Sequence, residues 1–390
     1  MHTKKAKAFA FAIAATALVG AAVTAGDHAS ADPKQYDAPF VGVGSDTTQD
    51  IMNAFSGFEN GLNYTPLQSD SATGQKQIVS WDATANGLTT TCITTRTGGP
   101  SFNRPNGSGA GRTAVLSTIT SGGTTSVSNC GTGTTSASGQ LSFARSSSLS
   151  GTAGTTLAYV PFARDALSFG YYRKAGAPVT SLTTTELTSI FGSATGAVVG
   201  GVRIYGCDIQ LGSGTGQTWR TKVGGVSGTA LGTTSVCDNA GGGLAQENDG
   251  DGLVTRGDGV DAIDPGAQVI IGFSVGGYIG KANGVARGGM PTTVGIGTIS
   301  NISANNPIVG DQVTGRPNLT GDTTFYATSF GRDIYNVFPA SVINSAFGND
   351  AIKQIFKGAT SQLCLATTTI QKFGFQTLGT CGDSTTLRGA

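Results

Sequence analysis

Four short turns of Gly, Ser and Thr punctuate this 390-residue chain, and their shared chemistry is the capture of an anion. The sharpest is Gly212-Ser213-Gly214-Thr215-Gly216, set just before the helix-like residues 217–222. In such a turn successive backbone N–H groups and hydroxyls converge, with the positive end of a helix behind them. An oxyanion can be held there without any cationic side chain. The other three are Gly44-Ser45-Asp46-Thr47-Thr48, Gly107-Ser108-Gly109-Ala110-Gly111 and Arg145-Ser146-Ser147-Ser148. Each abuts a segment with strand or helix character, and together they predict one shared anion pocket.

What the chain lacks removes other chemistries. Its only histidines are His2 and His28, both within an N-terminal stretch that reads as a secretory signal. That stretch opens with Lys4, Lys5 and Lys7, continues as an apolar run of small residues over 8–25, and offers Ala29-Ser30-Ala31 for cleavage, with Val23-Thr24-Ala25 as the rival. Cleavage after Ala31 leaves no histidine, which excludes Ser-His-Asp and Cys-His catalysis and any His-based zinc site. No Cys follows the apolar run for lipid attachment, and no later segment is long and apolar enough to span a bilayer. Loss of residues 1–31 removes three positive charges and one negative, taking the formal net charge from +1 to −1. With 12% charged residues, such a chain has no electrostatic footprint for nucleic acid or an anionic membrane. The expectation is a secreted or envelope-associated monomer without a cofactor.

Six cysteines in an exported chain imply three disulfides. The pairs expected are Cys92 with Cys130, Cys207 with Cys237, and Cys364 with Cys381. Each closes a modest Gly-rich loop whose ordering would otherwise cost entropy.

The elements that must position the turns follow from hydrophobic spacing. A mature length of about 360 residues exceeds what one hydrophobic core supports, so two lobes are expected. Phe40–Gly44 reads as a buried strand. Residues 46–58 have helical spacing, with Ile51, Met52 and Phe55 on one face and Ser45 or Asp46 as N-cap. A helix begins over 114–119, strands occupy 141–144, 157–162 and 166–172, and 183–191 is a helix capped by Thr183 or Thr184. Residues 269–278 are a β-rich run, and 322–338 mix helix and strand. Strands alternating with helices predict an α/β fold.

Seven phrases stand in a fixed order: Val43-Gly44-Ser45-Asp46-Thr47-Thr48, Gly107-Ser108-Gly109-Ala110-Gly111, Leu141-Ser142-Phe143-Ala144-Arg145-Ser146-Ser147, residues 182–192, Gly212-Ser213-Gly214-Thr215, Asn248-Asp249-Gly250, and residues 271–278. This order resembles the phosphate-binding proteins of ABC importers, which have the type II periplasmic-binding-protein fold. The resemblance implies two α/β lobes joined by crossing strands and closing over a buried oxyanion. It places the first lobe at 36–165, the second at 166–284 and a return segment at 285–345, with a C-terminal extension over 346–390. The ligand loops it implies are Ser45, Asp46 and Thr47, then Ser108, then Ser146 and Ser147, then Ser213, Gly214 and Thr215. Ser108, Ser213 and Thr215 would donate hydroxyl and N–H bonds, or else bond locally in tight turns. The chain departs from the family twice, with Ser147 where a carboxylate is usual and Ile209 where an Arg is frequent. Arg145 is the cation expected to compensate by bidentate contact; an ordinary ion-paired Arg is the alternative.

Monohydrogen phosphate differs from sulfate in carrying a proton, so a buried acceptor facing that proton discriminates between them. Asp46 is expected to be that acceptor, or alternatively only the cap of its helix. A second anionic cluster invites a metal: Glu247, Asp249, Asp251 and Asp258 fall at ligand positions of an EF-hand-like calcium loop, with Glu at the first and the shorter Asp at the last. The Asn-Asp-Gly phrase accounts for part of the same stretch without any metal. The function expected is an exported solute-binding protein that captures an oxyanion, phosphate first, for a membrane ABC permease, without catalysis. The alternative is a secreted surface or adhesion protein that keeps the fold without transport.

Overall fold

The computed structural model describes residues 32–33, 38–84, 91–119, 127–149, 151–223 and 235–389; the expected signal segment lies outside them. One large sheet organises the chain. Its path uses β1 (Phe40–Gly44), β2 (Ile78–Ser80), β3 (Phe143–Ser146), β4 (Ala153–Arg173), β5 (Ala197–Val199), β6 (Val202–Cys207), β7 (Gln268–Ser274) and β8 (Gly331–Pro339). They lie in the order β5-β6-β7-β4-β8-β3-β1-β2. β1 runs parallel to β2 and β3, β6 runs parallel to β7, and β4 and β8 run antiparallel to their neighbours. The α/β class read from the alternation of elements is the one the chain adopts.

β4 joins the two halves of the molecule. Two separate strands were expected over 157–172, and the structure makes them one strand of 21 residues. Its first part pairs with β8, then residues 167–173 pair with β7. The register shifts between Pro161 and Ala163, where proline supplies no N–H to the ladder. Extended backbone places successive side chains on opposite faces. Val41, Ala144, Tyr159 and Val337 accordingly pack in one buried cluster, while Ile78, Phe143, Ala158 and Phe338 pack in another.

The later part of the chain contributes to buried cores in both halves. Ile352, Ile355, Phe356, Leu363, Ile370 and Phe373 pack in the same buried cluster as Ile78, Phe143, Ala158 and Phe338. Val294, Ile299, Leu319, Phe325 and Phe330 pack with Phe169, Trp219, Ile270 and Tyr278 in the second half. Between Tyr278 and Val294, Val285 and Ala286 pack in the first-half cluster and Arg287 pairs with Asp50, Glu59 and Asp82, and β8 follows at Gly331.

Among the helices that flank the strands are α1 (Gln49–Phe55), α2 (Ser108–Ile119), α3 (Thr184–Phe191), α4 (Gly214–Val223), α5 (Gly250–Asp261) and α6 (Val275–Ala282). α1 starts three residues later than its spacing suggested, because residues 45–48 form a turn. α2 begins at Ser108 and takes the glycines of the turn into its first coils. Gly111 is required there, since a Cβ would lie 2.6 Å from the Gly44 Cα. The β-rich run over 269–278 divides at Ser274, whose hydroxyl caps α6 by accepting from the Gly277 N–H. Thr183 caps α3 in a reciprocal box with Glu186. The disulfides are Cys92–Cys130, Cys207–Cys237 and Cys364–Cys381, the expected pairs.

Gly272 on β7 lets the Trp219 ring of α4 lie flat on the sheet; a Cβ would fall 2.4 Å from an indole carbon. Gly272→Ala is expected to reduce unfolding free energy by about 1–3 kcal/mol through overpacking. A lowered denaturant midpoint at constant slope reads this out, and an unchanged midpoint would show that the ring has room to shift.

Candidate anion-binding cleft

The four turns lie at the carboxyl ends of strands or at helix starts, and the fold gathers them. Ser45 Oγ donates to Ser147 Oγ at 3.1 Å. Ser108 Oγ lies 3.3 Å from Ser147 Oγ and accepts the Ser147 N–H at 3.0 Å. From the other half, the Gly109 N–H reaches Gly212 O at 3.2 Å, and Thr47 Oγ1 lies 3.0 Å from Thr215 Oγ1. Gly214 makes this approach possible. A Cβ there would stand 2.4, 2.7 and 2.9 Å from the hydroxyls of Ser108, Ser147 and Ser148. Any side chain would hold the start of α4, with its unpaired N–H groups, away from the hydroxyls of the first half.

Charge enters through Arg332, which the sequence reading did not single out. It opens β8 directly opposite Asp165 on β4. Its Nε and Nη2 donate to Asp165 Oδ2 at 3.0 and 2.8 Å. Nη2 also donates to Thr215 Oγ1 at 2.8 Å and to Thr47 Oγ1 at 3.4 Å. Asp165 Oδ1 accepts from Ser274 Oγ and the Gly276 N–H, each at 3.0 Å. Three buried polar atoms beside this cluster have no partner among the described residues: Arg332 Nη1, Ser148 Oγ and Glu247 Oε1. A buried donor without an acceptor is costly, and here two of them adjoin a nest of hydroxyls.

The remaining expected residues divide by what they touch. Ser213 Oγ accepts the Gly216 N–H at 2.9 Å and donates to Glu247 Oε2 at 2.7 Å, so it caps α4 and anchors Glu247. Ser146 bonds Ser148 O at 2.7 Å and serves its own turn. Arg145 is corrected from ligand cation to internal support. Wholly buried, it directs its guanidinium to Ser45 O, Ser80 Oγ, Trp81 O and Gly44 O, which holds the first turn in shape. Burial lowers its pKa to about 10, against the raising effect of Asp82 and Asp46.

Asp46 does not cap α1, which has no side-chain cap. Its Oδ1 accepts from Asn248 Nδ2 at 3.0 Å, across the cleft. Asn248 Oδ1 accepts the Ser274 N–H at 3.0 Å, so the amide is oriented to donate. Burial pushes the Asp46 carboxyl up to about 7, with Lys281 opposing and Glu247 reinforcing the shift. The calcium-loop pattern is also corrected. Residues 250–261 are helical; Asp249 caps α5 through the Gly252 N–H, and Asp258 meets Tyr172 and Lys174 near the far end of α5. A helix cannot wrap a cation with these side chains, and no group of three or more metal-ligating residues occurs among those described. Asp165 was visible in principle, as a lone carboxylate inside a long apolar run. Ser148 stands in the fourth turn and Asn248 in the Asn-Asp-Gly phrase, though nothing there assigns either to the ligand, and Arg332 carried no comparable signal.

No family model and no curated protein matches this chain. Among solved structures, it is similar to an ABC-type phosphate transport receptor from Vibrio cholerae, with 14% identity over 87% of this chain and all of that one, at a TM-score of 0.42. A high-affinity periplasmic phosphate-binding protein bound with phosphate shares 16% identity over 87% of this chain and 91% of its own, at 0.40. A possible phosphate-binding protein from Planctomyces limnophilus shares 11% over 87% and 92%, at 0.38. What the cleft can hold follows from its own side chains.

Removing one member of the Arg332–Asp165 pair strands a buried charge, at a cost of about 3–5 kcal/mol. Asp165→Asn and Arg332→Met are each expected to destabilise the fold on that scale. The double variant should lose clearly less than the sum, as a double-mutant cycle measures; additive losses would mean the two charges are not coupled.

Proposed function

We propose that this chain is an exported solute-binding protein that captures a phosphate-type oxyanion in the cleft and delivers it to a membrane ABC permease. The observation that supports this most directly is a pair of unpartnered donors at the start of α4: Arg332 Nη1, whose guanidinium reaches Thr215, and Ser148 Oγ, which lies against Gly214. Cation, hydroxyls and helix N–H groups from both halves converge on a place that needs an acceptor. Asp165 balances the Arg332 guanidinium. An anion is then held by fixed donors that take over from its water shell. No catalytic step is needed, because pre-oriented donors and closure of the halves are sufficient for capture and release.

Calorimetry with inorganic phosphate tests the reading. The chain contains only two tryptophans, Trp81 and Trp219, and Trp219 lies on α4, so its fluorescence supplies a second readout. Ser148→Ala and Thr215→Val each remove one donor to a charged ligand and should weaken phosphate about tenfold or more. A wild-type protein that binds neither phosphate, arsenate nor sulfate would favour a surface role without transport.

Asp46 adds a pH dependence. Its carboxyl becomes charged as pH rises through about 7, which places a negative charge next to the bound anion. The affinity of the natural protein relative to Asp46→Asn should therefore fall between pH of about 6 and about 8. Taking the ratio cancels the ionisation of phosphate itself, and a flat ratio would remove Asp46 from the neighbourhood of the ligand.

A further inference from the structure

Beyond the hydroxyl nest, the cleft opens into a cavity of about 350 Å³. That volume belongs to the range of small organic ligands and exceeds the needs of a bare tetrahedral anion. Its walls come from both halves, with Asp46, Gln49 and Thr84 on one side and Gln246, Glu247 and Asp251 on the other. Glu247 belongs both to this wall and to the edge of the nest, where its Oε2 accepts from Ser213 Oγ and, at 3.5 Å, from Thr47 Oγ1.

Two buried polar atoms in this wall have no partner among the described residues, Glu247 Oε1 and Gln246 Nε2. Glu247 is fully buried. Gln246 Oε1 accepts from Asn106 Nδ2 at 3.0 Å, which turns its NH₂ group to a different side. The wall thus offers one unmet acceptor and one unmet donor. Of the two cations bordering the cavity, Arg287 is paired with carboxylates, whereas Lys281 has three donors and uses one on a backbone carbonyl. Lys281 Nζ donates to Asn248 O at 2.7 Å, and Arg287 pairs with Glu59, Asp82 and Asp50. The carboxyl groups of Asp46, Glu247, Asp249 and Asp251 outnumber Lys281 and Arg287 in the lining, which disfavours a second anionic group. A hydroxyl, which both donates and accepts, satisfies Glu247 and Gln246 together, and the polar lining suits several hydroxyls.

We propose that the ligand is a phosphomonoester of a polyol, with its phosphoryl group in the hydroxyl nest and its hydroxyls against Glu247 and Gln246. This inference rests on the oxyanion reading of the nest and specifies what the oxyanion is attached to.

The test is calorimetric titration of the whole exported chain with inorganic phosphate, glycerol 3-phosphate, a hexose 6-phosphate, phosphoethanolamine and free glycerol. The better polyol phosphate is expected to bind at least about tenfold tighter than inorganic phosphate, while free glycerol gives no signal. Glu247→Gln and Gln246→Ala should each narrow that gap. Inorganic phosphate binding as tightly as the esters, or more so, overturns the inference and leaves oxyanion capture standing; Glu247 would then face the proton of the anion itself. Tighter binding of phosphoethanolamine overturns the polyol assignment in favour of an ammonium group. If none of the phosphates binds, both readings fall together.

Discussion

A guanidinium buried where the two crossing strands meet sets the terms for everything around it. Taking Arg332 out of water is tolerable only because Asp165 lies opposite it in register and accepts two of its bonds. Asp165 is held in turn by Ser274 and the Gly276 N–H, at the junction of β7 and α6. β4, β8 and the β7–α6 corner therefore fix the direction of one cation. The Nη1 left over points to chemistry that the protein does not complete by itself.

Neutral donors supply the rest, and close backbone approach is what brings them together. Gly214 permits the N-terminus of α4 to meet Ser108, Ser147 and Ser148, and Gly111 permits α2 to lie on β1. Arg145 serves the same end from beneath, because its bonds to the carbonyls of Gly44 and Ser45 hold the first turn open-side up. Asp46 and Asn248 then tie the halves across the cleft. Beside them Arg287 draws three carboxylates of the first half together. Burial and the neighbouring Asp50 charge push the Glu59 carboxyl in that group up to about 9, with Arg287 opposing the shift.

Much of the fold could be read from local pattern. The strand Phe40–Gly44, the cap of α3 at Thr183 and the pairing of all six cysteines depend on short-range spacing, and each appears where spacing put it. Reading failed where partners far along the chain decide. The segment over 153–173 is one strand because β8 and β7 extend it in sequence, which its own residues do not announce. Arg145 looked like a ligand cation because it adjoins a serine turn. Its carbonyl partners are brought to it only by parallel pairing of β1 with β3.

The chemistry of the turns is written in the residues themselves: glycine and hydroxyl side chains before helix starts can only offer small, neutral donors, whatever the fold around them. Their convergence is a different matter. It depends on contacts between residues 39 to 285 positions apart, such as Ser108 with Ser147 and Arg332 with Thr47. A polypeptide specifies such contacts through the packing of its whole sheet, because no local propensity acts over that distance. Which charge faces the cleft, and which carboxylate neutralises it, was for that reason settled only by the folded structure.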